Sequence, residues 1–174
     1  MNLPALALSL ALTAGSCAAQ AQAPLSSPIA PAAALPAGTG PGVHSPNSPI
    51  APLSTRADVL PWSVLTAAKT KVVKKRVVPV FPSEVLALNQ KTQRIQGFMM
   101  PLEMGERQKH FILSSVPLTC AFCFPGGPES MVEVTTKTVV KYTQEAVVVE
   151  GPLSVLSDDP NGLFYRMTEA VPVK

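Results

Sequence analysis

The chain has 174 residues, 47% of them apolar and 14% charged, with a net charge of +3. That composition excludes a highly charged disordered chain, and the length allows one ordinary domain with a remainder. Five of the fourteen Lys and Arg fall in one run with no aromatics between them, Lys69 to Arg76, which argues against nucleic acid as a partner.

Residues 1–23, MNLPALALSLALTAGSCAAQAQA, join a Leu/Ala stretch to small residues in a small-x-small pattern, the form of a cleavable secretory signal. The apolar stretch is about half of the ~20 residues that a membrane-spanning helix needs, and no later segment comes closer. No transmembrane helix is therefore expected in the mature chain. Cys17 offers a lipidation site, but Ala14 stands where a lipobox prefers a bulky aliphatic residue, so cleavage beyond Cys17 is preferred. These features predict a periplasmic or cell-envelope protein.

Residues 24–60 are rich in Pro, Ala, Ser and Gly, and SPIAP occurs twice, at Ser27 and Ser48. The segment has no helical or strand period and few large side chains to offset the entropy of ordering, so it reads as an extended, mobile tether. His44 lies within it, with no companion ligand nearby in sequence.

The folded domain is expected over 61–174. LPWSVLTAAK, from Leu60, places Trp62, Leu65 and Ala68 on one side of a short helix, with Trp62 covering a core edge. The basic run at 69–76 follows as a solvated positive face or flexible segment, with lipid or polyanion contact the alternative. A second short helix is suggested by FPSEVLALNQK, from Phe81.

Strand chemistry then takes over. Thr92–Met104 alternates and becomes continuously apolar at Phe98 to Met100, with Gly97 marking a bulge or tight bend. Lys109–Val116, Ser130–Thr136, Lys137–Thr143, Glu145–Leu156 and Gly162–Val173 complete the set, separated by turn-forming stretches. The density of Val and Thr decides for strand over helix in 138–151, because both lose rotamer freedom on a helix. The fold class is mainly β: a small curled antiparallel barrel behind one or two short helices.

Between two of these strands lies PLTCAFCFPGGPE, the stretch richest in chemistry. Cys120 and Cys123 are the two cysteines left after the signal, and an exported pair so close favours a disulfide. The spacing also suits a soft cation such as Zn or Cu, with His110, Glu129 or Glu133 as further ligands if the fold gathers them. Met99, Met100, Met104 and Met131 are better read as core than as copper ligands. A thioredoxin-like redox site needs a helix after the first cysteine, whereas Pro125, Gly126, Gly127 and Pro128 make a loop. A thiol exchanging with a dedicated partner stays open, as does a purely structural disulfide. Pro125, Gly126, Gly127 and Glu129 complete the candidate binding loop. Asp158 and Asp159 read as a hairpin turn, without the spaced oxygens of a calcium loop. G-x-S-x-G, H-E-x-x-H and Walker A motifs are missing, so the chain reads as non-enzymatic.

The order of elements resembles a bacterial cell-envelope family of unknown function, DUF3299. The resemblance runs from Trp62 to Ala170, and rests on GFMMPLE at Gly97 to Glu103, the LSSVP approach at Leu113 to Pro117 that leads to Cys120, and VEGPL with GLFY between Val149 and Tyr165. It implies an OB-like fold, an exported or lipid-anchored protein, and ABC-transporter components as partners. The family pattern carries a cysteine, a histidine and a run of prolines where this chain has CAFCFPGGPE, leaving Cys123 as the replacement for a metal-binding histidine. The resulting expectation is a binding or accessory module that handles a thiophilic metal through its Cys-x-x-Cys loop. The alternatives are a thiol-disulfide protein and a structural interaction domain.

Overall fold

A computed structural model describes residues 41–173. The expected signal at 1–23, Cys17, and the tether residues 24–40 lie outside the described residues. The elements run α1 (Trp62–Leu65), β1 (Lys69–Val73), β2 (Arg76–Val80), α2 (Ser83–Leu86), β3 (Lys91–Pro101), β4 (Arg107–Ser114), a 3-10 turn (Pro128–Ser130), β5 (Met131–Lys141), β6 (Val147–Val155) and β7 (Tyr165–Val173).

β3 to β7 close a barrel in the order β3-β4-β5-β7-β6, the OB-like arrangement. Closure is possible because β3 serves two neighbours. Lys91 to Gly97 pair with β6, and Phe98 to Pro101 pair with β4. The changeover falls at Gly97, where a Cβ would sit 2.7 Å from both Leu113 Cγ and Ser114 O. The bend expected there is thus the point where the sheet curls into a barrel.

Two sequence readings of the sheet need correction. The barrel is not antiparallel throughout, since β5 and β7 run parallel. A closed ring of five strands cannot alternate direction everywhere, so one like-directed pair is unavoidable. The strands expected at 130–136 and 137–143 are one strand, β5, whose far half runs past the core with exposed residues.

Alternation fills the interior. Phe111 and Leu113 on β4, Val132 and Val134 on β5, and Tyr165 and Met167 on β7 are fully buried. α1 caps this core: Leu65 is fully buried, and Trp62 Nε1 donates to Gln96 O at 2.8 Å, so the lone tryptophan covers a core edge. Tyr165 reaches across to α1 and donates its hydroxyl to Leu65 O at 2.6 Å.

α1 ends earlier than the sequence suggests, and the basic run is neither helical nor irregular. Lys69–Val80 forms a separate two-stranded antiparallel hairpin, with Val72 opposite Val77. Val72, Val73, Val77 and Val78 favour strand, and this outweighs the helical spacing that Ala67 and Ala68 extend toward Lys69.

Residues 41–60 follow the barrel surface. Leu60 N donates to Arg94 O at 2.7 Å, Gln96 Nε2 donates to Ser54 Oγ at 3.0 Å, and Asp58 bridges Arg56 at 2.8 Å and Arg94 at 3.4 Å. The Arg56 guanidinium beside it holds the Asp58 carboxyl down at about 2. Composition alone makes no allowance for these contacts, because they use single backbone, hydroxyl and carboxylate groups scattered through a segment poor in large apolar side chains.

Candidate functional site

The loop from Ser115 to Ser130 joins β4 to β5 and carries the Cys-x-x-Cys. Its base is closed by Ser115 N donating to Ser130 O at 3.2 Å. Pro117 O then accepts from Cys120 N, and Cys120 O accepts from Cys123 N, both at 3.2 Å, so two tight turns follow one another. The turns bring the Cys120 and Cys123 Cα atoms to 5.4 Å, and the two sulfurs form a disulfide.

A second strip of chain supports the loop from outside. Val43 N donates to Phe124 O at 2.8 Å and Phe124 N donates to Val43 O at 2.9 Å, a short antiparallel bridge. Ser115 Oγ donates to Pro41 O. Ser48 Oγ lies 3.4 Å from Cys120 Sγ, with the hydroxyl as donor because a disulfide sulfur has no proton. Gly42 makes the approach possible: its φ is +75°, and a Cβ there would stand 2.7 Å from Phe124 O. The His44 ring stacks on Phe98, centroids 6.4 Å apart, so this histidine packs against the barrel.

The arrangement turns the sulfurs inward and the aromatics outward. Cys120 and Cys123 are each 8% exposed, whereas Phe122, Phe124 and Val43 are 58%, 68% and 61% exposed. Pro125 is exposed, Gly126 is buried, and Gly127 packs against the Glu129 carboxylate so closely that a Cβ would collide with it. Glu129 is itself buried at the start of the 3-10 turn. Burial, then the charge of Glu129, push the Tyr165 phenol well above its ordinary range. The binding-loop residues expected from sequence thus stand together, Glu129 as an inward support and Pro125 on the surface.

His110 is placed elsewhere. On β4 its Nε2 lies 2.9 Å from Glu133 Oε1, and Glu133 Oε2 accepts from Arg166 Nε, whose Nη2 donates to Asp159 Oδ2 at 3.0 Å. Asp159 Oδ1 also accepts from the backbone of Asn161 and Leu163. This chain of charges crosses the outer wall of β4, β5 and β7. Burial opposes the Glu133 charge, but the hydrogen bonds from Arg166 and His110 hold its pKa below the ordinary carboxylate range. Burial likewise opposes ionisation of Asp159, and its two backbone donors with Arg166 outweigh it. Among the described residues no three His, Cys, Asp or Glu side chains are grouped as a metal site would require.

The sequence reading missed Phe122 and Phe124 as the exposed elements, and Gly42 and Val43 as the backing strip. A signal for the first was present in CAFCF, where aromatics alternate with inward-turned cysteines. None was available for Val43, because nothing local indicates a partner 81 positions away.

The family model for a protein of unknown function, DUF3299, matches residues 61–169. The chain belongs to the DUF3299 family. The match opens beside Trp62 and runs into β7, so it takes in the hairpin, the disulfide loop and nearly the whole barrel. A crystallised DUF3299 protein from Pseudomonas aeruginosa is 22% identical to this chain with a TM-score of 0.37, over 51% of this chain and 64% of that one. Comparison with curated proteins finds no match. No helix among the described residues is long and apolar enough to cross a membrane.

Proposed function

We propose that this DUF3299 chain is an exported, non-enzymatic binding module of the bacterial envelope, whose disulfide loop presents Phe122 and Phe124 to a protein partner. The carrying observation is the pairing of two phenylalanines more than half exposed with a backbone fixed on both sides, by the Cys120–Cys123 bond and by the Val43 bridge. Aromatic side chains held on a rigid loop bury large apolar area at small entropic cost, as interface anchors do. Disulfides persist in oxidising compartments, which agrees with the export signal read at 1–23 and with a periplasmic site of action. Components of an ABC transporter are the partner class that the family resemblance suggests.

Incorporating a photo-crosslinking phenylalanine analogue at 122 or 124 in the native host should give one defined protein adduct. The same analogue at Met104, fully exposed before the start of β4 whereas the disulfide loop leaves the end of that strand, should not. The adduct should weaken in Cys120→Ser/Cys123→Ser. The competing reading, metal handling or thiol exchange, has one observation in its favour: the same two sulfurs are joined, and reduction would free both. Stoichiometric Zn or Cu on the reduced chain, lost in the double serine variant, or rapid exchange with a periplasmic oxidoreductase, together with no adduct at 122 or 124, would replace the proposal with that reading.

A further inference from the structure

The hairpin β1–β2 stands outside the barrel sheet and gives no residue to the buried core, with Val78 and Pro79 its half-buried positions. Every residue of β1 is exposed, and the cross-strand pair Val72 and Val77 is 73% and 63% exposed. A lone two-stranded hairpin is marginal in water, so stability does not explain its presence. Arg76 is tied to Asp158 at 2.6 Å, while Lys69, Lys71, Lys74 and Lys75 make no ion pair shorter than 4.0 Å among the described residues.

The turn itself carries a second observation. Lys74 and Lys75 occupy left-handed backbone, with φ of 49° and 66°. Two-residue hairpin turns of this kind favour Asn-Gly or Asp-Gly, because L side chains are disfavoured at positive φ. Here two lysines take both positions, so positive charge sits at the tip despite its conformational cost. An outlier of this sort points toward a use for the side chains.

We infer that the Lys69–Val80 hairpin is a membrane-contacting arm that docks on a bilayer containing anionic phospholipid, with Val72 and Val77 entering the interface and Lys69, Lys71, Lys74 and Lys75 meeting headgroup phosphates. Charge complementarity selects the occupant, since four cations with no ion pair among the described residues lie beside and beyond the exposed Val72–Val77 pair. Lys69 and Lys71 alternate with Thr70 and Val72 along β1, so these cations lie on one face while the Val72–Val77 pair lies on the other, and Lys74 and Lys75 stand at the turn. A convex tip of this kind suits a fluid surface, which needs no shape-matched cavity. Weak apolar insertion combined with several basic residues is the usual requirement for reversible attachment. This inference stands apart from the proposal for the disulfide loop, which lies in a different connection of the fold.

The test uses the full chain with phosphatidylcholine vesicles, alone or containing one part phosphatidylglycerol to three. Sedimentation should show binding that depends on the anionic lipid and falls as salt rises. Lys74→Gln/Lys75→Gln should weaken it on the order of 25-fold, each lysine near the surface being worth about five-fold. Val72→Ser/Val77→Ser should weaken it about ten-fold. A Val72→Trp variant should be quenched by brominated lipid chains. Both double variants lie outside the barrel, and an unchanged thermal melt verifies that they fold. Absent vesicle binding, or binding equal in wild type and both variants, overturns the inference. So does loss of an acidic protein partner in the lysine variant with vesicle binding unchanged.

Discussion

Gly97 stands where β3 leaves β6 and joins β4. With Leu113 Cγ and Ser114 O both 2.7 Å from a would-be Cβ, Gly97→Ala should cost about 1–3 kcal/mol, measurable by urea denaturation. Tyr165→Phe should cost about 0.5–1.5 kcal/mol, since it removes a buried hydrogen bond to Leu65 O, which keeps Ala68 N as its remaining donor at 3.2 Å. The acids on the outer wall set the pH response. Glu133 and Asp159 both have folded pKa values below their unfolded ones. Their contribution is therefore complete above the unfolded carboxylate range of about 4, and is lost as pH falls through the lower folded values. The urea midpoint should be flat from neutral pH to about 5 and drop below about 4. Glu133→Gln should lower the unfolding free energy at neutral pH by about 1–3 kcal/mol and make the acid limb shallower. Gly97 was legible from sequence because a glycine inside an apolar strand has few other uses. The pairing of His110 with Glu133 was not, because it depends on strand register, which no local pattern specifies.

At the scale of elements, the disulfide loop and the hairpin contrast. The Cys120–Cys123 bond closes a very small ring, so the chain-entropy model gives it about 2 kcal/mol at most. Cys120→Ser/Cys123→Ser should accordingly leave the barrel folded, with a modest loss in urea midpoint and little change in far-ultraviolet circular dichroism. The hairpin should be separable altogether. Lys69 and Val80 are cross-strand partners, so their backbones are already adjacent. Replacing 70–79 with Asn-Gly should leave the thermal transition of the barrel nearly unchanged, because the one ion pair lost, Arg76 with Asp158, is exposed on both sides. The sequence identified this stretch as basic but not as paired. Lys71, Lys74 and Lys75 interrupt the apolar runs, and Lys74-Lys75 is not a turn signal. The cysteine loop was legible as a loop, from its prolines and glycines. Which side chains it exposes follows from the Val43 bridge, which brings in a segment whose composition predicts no contacts at all.

For the molecule as a whole, strand content and barrel type were accessible because Val- and Thr-rich segments recur at short intervals with turn residues between them. Strand order was less accessible, since β5 and β7 meet through a parallel pairing across intervening chain. The last strand in chain order completes the ring: β7 pairs with β5 on one side and β6 on the other. During synthesis, Tyr165–Val173 emerges after every other barrel strand. Until then the nascent sheet has two unprotected borders, each able to recruit a stray strand. A chain that emerges from one end thus faces its greatest aggregation hazard just before the ring closes, when β5 and β6 both wait for the strand that will lie between them.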